Sequence, residues 1–317
     1  MNSPNQTCHR SLLVFARCGI GIVAAACATI TAHANLDIVA TTADLAALVQ
    51  AIGGDRVKVS TLAKPTEDPH FVDPKPSYIV RLNRADLLVE GGAELEAGWL
   101  SPLLQGARNA RLHVGGQGRV QAAAGIERLG VPETLDRSKG DIHASGNPHF
   151  LMDPFNARMA TQTLSEAMAR ADPDSAEYYR ANFTRFSQLL DQKLEAWQKR
   201  LEPHRGRRLA AYHDIWPYFA RRFGLRIDLF LEPKPGIPPT PASLSDVVAE
   251  MNRDNIRLIL VEPFQPRRVA ERVAARTGAE VIDLTQYPGG IEGTETGYLE
   301  LMDYLVETLA AALDKTK

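Results

Sequence analysis

Two stretches of the chain repeat one chemical theme. Glu67–Ser77 reads EDPHFVDPKPS and Gly146–Pro154 reads GNPHFLMDP, each placing Pro-His-Phe shortly before an Asp-Pro. Proline fixes the backbone ahead of His70 and of His149 and removes a competing N–H donor. The aspartates that follow, Asp73 and Asp153, are read as groups that orient the two imidazoles from behind. A third histidine, His213, lies in LAAYHDIWPYF, immediately after the apolar run Leu209–Tyr212. Imidazole is a neutral nitrogen donor, so three of them drawn together make a transition-metal site, with Zn2+ ahead of Mn2+. The three lie too far apart in the chain for a zinc finger, so the fold has to assemble them. His113 and His204, lying among arginines, are read as structural or exposed instead.

The elements needed to do this are legible. Leu36–Ala40, Val57–Leu62 and Ala85–Val89 read as strands, and Asp44–Ile52 as a helix closed by Gly53-Gly54. The alternation restarts at Arg208–Tyr212, Arg226–Phe230, Ile256–Val261 and Glu280–Leu284, with helical patterns at Leu244–Met251, Arg267–Thr277 and a final helix carrying Tyr298, Leu301, Leu305 and Leu309. Strands alternating with helices imply mainly parallel sheets flanked by helices. The fold class is therefore α/β in two lobes. Between them Tyr179, Phe183, Phe186, Leu190, Leu194, Trp197 and Leu201 recur at helical spacing, one apolar stripe on one helix about 36 Å long over residues 178 to 201. The expected organisation is a first lobe over residues 35–171, a connecting helix over 172–204 and a second lobe over 205–317. In an open α/β sheet ligands bind beyond the carboxyl ends of the strands, which is where His70 and His213 fall.

Arg10 and Arg17, an apolar run over Cys18–Ile30 and the small-x-small pattern Ala32-His33-Ala34 read as an export signal over residues 1–34, cleaved after Ala34. A lipoprotein anchored at Cys27 is the second reading. All three cysteines fall in this signal, so the exported chain has no disulfide and no thiolate ligand. Losing two arginines takes the formal net charge from -2 to -4, with no clustered basic surplus, which argues against a nucleic-acid partner. A periplasmic monomer is expected.

Taken together, DPHFVDPKPS, GNPHFLMDP, YHDIWPYF, the Glu-Pro-Lys-Pro-Gly loop at 232–236 and ILVEPFQ at 259–265 resemble, in the same order, the zinc/manganese-type solute-binding proteins of bacterial ABC importers. The resemblance covers the chain from Leu36 to the last helix. It implies two α/β lobes joined by one long helix, a divalent metal held between them by His70, His149 and His213, and a membrane permease with its cytoplasmic ATPase as partners. Many members add a carboxylate from the segment matching Thr285–Gly290, where this chain has no acid; Asp283 and Glu262 are the nearest candidates for a fourth ligand. Zinc members often carry a histidine-rich loop before the second ligand, and here only His143 stands in its place. The function expected is capture of zinc and its delivery to an importer, not an enzyme activity. Two alternatives remain open: a secreted three-histidine zinc hydrolase, for which no HExxH or GxSxG is present, and a binder of a metal chelate or organic ligand, to which the arginine pairs at 207–208, 221–222 and 267–268 would contribute.

Overall fold

The computed structural model describes residues 35–132, 143–234 and 236–316. The export signal read in residues 1–34, its cleavage after Ala34 and the alternative at Cys27 lie outside the described residues.

The first lobe holds β1 (Leu36–Ala40), α1 (Ala43–Gly53), β2 (Val57–Thr61), α2 (Pro76–Arg84), β3 (Leu87–Glu90), α3 (Leu100–Gly106), β4 (Arg119–Gln121) and α4 (Pro154–Ala171). After α5 (Ala176–Leu201) the second lobe runs β5 (Arg208–Ala211), α6 (Pro217–Phe223), β6 (Arg226–Phe230), α7 (Pro241–Arg253), β7 (Leu258–Val261), α8 (Arg267–Thr277), β8 (Glu280–Asp283) and α9 (Tyr298–Lys315). Both sheets are four-stranded with every pairing parallel, ordered β2-β1-β3-β4 and β6-β5-β7-β8. The same order appears twice, so each lobe has its topological switch point beside its first strand. β3 and β7 are buried along their whole length, as parallel strands covered on both faces must be.

Each sheet buries its outer face under two helices. Val39, Leu82, Leu88 and Leu103 form one outer core with α2 and α3, and Ala210, Val248, Ile259 and Val273 form the other with α7 and α8. The inner faces share a single core that runs from Ile38 and Leu48 through Phe186 and Leu190 to Leu209, Leu260 and Leu309. α5 is the element that joins them. Its 26 residues span about 39 Å. Asn182 Nδ2 donates to the carbonyl of Ile52 (2.7 Å) in the first lobe, while Trp197 Nε1 and Lys193 Nζ donate to Asp303 (2.8 and 2.5 Å) on α9. The helix begins one turn later than Asp172-Pro173 suggests, because Pro173–Ser175 form a separate 3-10 turn and Glu202–His204 another at the far end. His204 is buried with Nε2 3.1 Å from Asp314, and His113 is exposed. No helix among the described residues is long and apolar enough to cross a membrane.

Asp44, in the first turn of α1, shows which effect wins when a carboxylate is buried. Its carboxylate accepts hydrogen bonds from Thr42 Oγ1 (2.5 Å) and from its neighbour's amide, Leu45 N (2.8 Å), yet burial outweighs both and pushes the group up to about 6. The folded state thus holds this proton more tightly than the unfolded chain, whose value is near 3.8. The group favours folding at low pH, and that contribution is lost as pH rises through about 6, roughly 2 to 3 kcal/mol between pH 4 and 7. Asp44→Asn keeps an acceptor for both donors. Denaturant unfolding of the metal-free protein across that range should show the wild type losing stability relative to Asp44→Asn by this amount; parallel curves would refute the assignment.

Candidate metal centre

The two histidine turns are built alike. In the first, the amide of His70 donates to Asp68 Oδ1 (3.0 Å); in the second, the amide of His149 donates to Asn147 Oδ1 (2.9 Å). Each is an Asx turn closed across the intervening proline. Trp99 Nε1 braces the first through the carbonyl of Pro69 (2.8 Å), and Tyr218 Oη braces the second through the carbonyl of Asn147 (2.7 Å). His213 follows β5 directly, and all three rings reach the cleft between the lobes.

There they converge. One ring nitrogen from each of His70, His149 and His213 lies within 4.8 Å of the other two. The ring centroids are 5.3, 5.6 and 5.8 Å apart. Each Nδ1 is engaged from behind: His70 by Asp68 Oδ1 (2.8 Å), His149 by Gln286 Oε1 (2.9 Å) and His213 by Glu232 Oε2 (2.5 Å). An amide oxygen or a carboxylate can only accept, so Nδ1 carries the proton in each ring and Nε2 presents its lone pair. His70 Nε2 and His149 Nε2 are buried with no hydrogen-bond partner. Buried acceptors left in that state are costly unless something completes them, and a metal ion is one group able to do so.

The electrostatics agree. Burial, followed by the neighbouring rings of His70, His213 and His143, holds His149 well below its ordinary value, so it is a neutral imidazole. Burial would raise Asp68, but the hydrogen bonds it accepts from the His70 ring and amide outweigh this and keep it low. Burial, then His70 and His213, pushes His143 down to about 4. The cavity in front of the rings holds about 220 Å³ and is lined by Asp68, Tyr212, Glu232, Phe264 and Gln286 beside the histidines. No arginine lines it among the described residues.

The aspartates expected behind the rings are elsewhere. Asp153 is fully buried, caps α4 by accepting from Phe155 N (2.9 Å), and is gripped by Arg222 at 2.6 and 2.9 Å. Asp73 is exposed. The reason is local: an Asx turn folds the residue two before each histidine onto it, whereas the residues three or four after it are carried away by the start of the next helix. Asp68, Glu232 and Gln286 take the orienting positions. Asp68 stands in the same motif as His70, and Glu232 opens the Glu-Pro-Lys-Pro-Gly loop, so the motifs contained them; Gln286 reaches His149 from 137 residues away and left no local signal.

The fourth-ligand candidates also part company. Asp283 is half-exposed and paired with Arg267. Glu262 is buried behind Gln286, its Oε2 accepting from Gln286 N (3.3 Å) and its Oε1 without a partner. Burial, then the charges of Asp68 and Asp44, raises it well above its ordinary value against the pull of that amide, so it is a protonated acid. Neither joins the three-nitrogen set.

A family model, ZnuA, the periplasmic component A of zinc-uptake complexes, matches residues 38–312. The chain belongs to that family. Relatives include the iron-binding protein YfeA of Yersinia pestis, 26% identical over 272 residues that cover 83% of this chain and 81% of that protein. The manganese ABC transporter substrate-binding lipoprotein PsaA of Streptococcus anginosus is 21% identical, with 90% and 91% covered. Among solved structures, a crystal structure of ZnuA superposes with a TM-score of 0.76 at 24% identity, covering 88% of this chain and 100% of that one. A Mn-bound periplasmic metal binding protein from Candidatus Liberibacter asiaticus gives 0.71 at 21%, covering 87% and 99%. The ZnuA-family fold is therefore the two-lobed, helix-spined architecture described above.

Proposed function

We propose that this protein captures a divalent transition metal in the cleft and hands it to an ABC importer, with zinc as the metal and His70, His149 and His213 as its ligands. Family membership supports the metal-carrier role. The convergence of three Nε2 lone pairs, two of them buried without partners, carries the ligand assignment. The choice of zinc follows from the donor set. Neutral imidazoles suit zinc, which accepts four ligands, whereas manganese is served by carboxylate and water oxygens in larger coordination shells. The relatives named for iron and manganese make the metal a question of this chain's own donors.

The chemistry is capture by ligand exchange. The ion sheds water as each imidazole binds, while Asp68 and Glu232, each carrying negative charge behind a ring, raise the basicity of the donor in front of them. The reading extends to the domain limits expected above, to a periplasmic location after export, and to a permease and ATPase as receivers. Competition titration tests the metal: zinc should be held at least 100-fold more tightly than manganese or ferrous iron at neutral pH, and equal or tighter manganese binding would overturn the zinc assignment. Elemental analysis of protein isolated without added metal should then return zinc at one equivalent.

A further inference from the structure

The three-histidine site leaves zinc one donor short, and the carboxylates nearest in sequence do not supply it. Asp283 is committed to Arg267, and Glu262 sits behind Gln286. A fourth imidazole is closer. The ring of His143 lies 5.2 Å from that of His70, centroid to centroid, as near as any pair within the triad.

The backbone holds it there. Gly146 N donates to the carbonyl of His143 (3.0 Å), closing a turn that leads straight into the Asn147-Pro148-His149 Asx turn. Gly146 adopts φ +91°, and a Cβ at this position would meet the carbonyl oxygen of Leu129 at 2.7 Å. Asn147 N in turn donates to that same Leu129 carbonyl (2.7 Å). The glycine thus lets the loop turn tightly enough to bring the His143 ring back against that of His70.

We propose that His143 is the fourth ligand, making this a four-imidazole zinc site. Nitrogen alone in all four positions favours zinc and its tetrahedral neighbours over oxygen-seeking cations. His143 stands outside the 4.8 Å set of the other three, so its ring must shift to reach an ion held by the triad. The proposal rests on the metal-capture reading above, and the test separates the two.

Cobalt(II) reports coordination through its visible bands, so zinc and cobalt titrations would be run on the wild type, His143→Ala and His143→Gln. Both variants should still bind one zinc through the preassembled triad, with Kd raised about 10- to 100-fold, less than for a triad histidine because water takes the position that His143 reaches only by shifting, a smaller preference for zinc over manganese, and cobalt bands shifted and weakened as water replaces a nitrogen. Unchanged Kd and cobalt spectra in both variants would overturn the fourth-ligand role and leave the three-histidine site standing. A wild type that binds neither ion would overturn the underlying reading instead.

Discussion

Replacing any one of His70, His149 or His213 by alanine should weaken zinc binding by on the order of 10³-fold. Structural zinc sites gather about 10–16 kcal/mol from their ligands together, so losing one of three or four is worth several kcal/mol, and each 1.4 kcal/mol is tenfold. The loss should be similar for the three because they share one ion, while His113→Ala leaves affinity where it was, its ring being exposed and outside the cleft. Glu232→Gln should fall between, at 10- to 100-fold, because it keeps the acceptor but loses the charge behind His213. Zinc should raise the melting temperature of the wild type more than that of Glu232→Gln, by a step that grows with the logarithm of affinity, since the ion binds only the folded chain. A His213→Ala variant that titrates like the wild type would remove the second lobe from the site.

Arg222→Ala should be the most destabilising single change at the junction of the lobes, by about 3–5 kcal/mol. Asp153 has no exposure at all, and Arg222 from the other lobe donates to both of its carboxylate oxygens. Removing the guanidinium strands a buried carboxylate with only the Phe155 amide for company. The double variant Arg222→Ala/Asp153→Asn should recover a substantial part of the loss, because a neutral amide costs less to bury and still caps α4. Denaturant unfolding of the four-member cycle measures this. Additive losses would mean that the pair is not coupled and that Asp153 is compensated in some other way.

The strands and the connecting helix were readable because their physics is local. Parallel strands buried on both faces are short unbroken apolar runs, and the stripe from Tyr179 to Leu201 needs no tertiary partner to be seen. β4 escaped notice because it is three residues, Arg119–Gln121, with a polar residue at each end. α4 escaped it because its buried face is built mostly of small or polar residues, among them Asn156, Ala157, Ala160, Thr161, Ser165 and Ala167, which give little contrast against the rest of the helix. The ligating candidates stood out through the repeated Pro-His-Phe context. What holds them did not: the sequence offers an aspartate on both sides of His70, and only the turn geometry selects the one before it. Gln286 is beyond sequence reasoning of this kind, since its pairing with His149 exists only once the two lobes have met.

How the lobes meet has a kinetic consequence. Besides the shared core and α5, the junction is stitched by Asn147 to the carbonyl of Asp214 (2.7 Å), by Tyr298 to the carbonyl of Leu151 (2.7 Å) and by Tyr218 to the segment carrying the second histidine. At Gly290 a Cβ would lie 3.0 Å from the carbonyl oxygen of Pro65, so the bare backbone of one lobe rests against the other. These bonds and the shared core hold the two lobes against a clamshell opening. The three histidines are already assembled before the ion arrives, so loading should follow the free-metal concentration as one plain hyperbola, with no phase from whole lobes swinging around the cargo and only the His143 ring left to move.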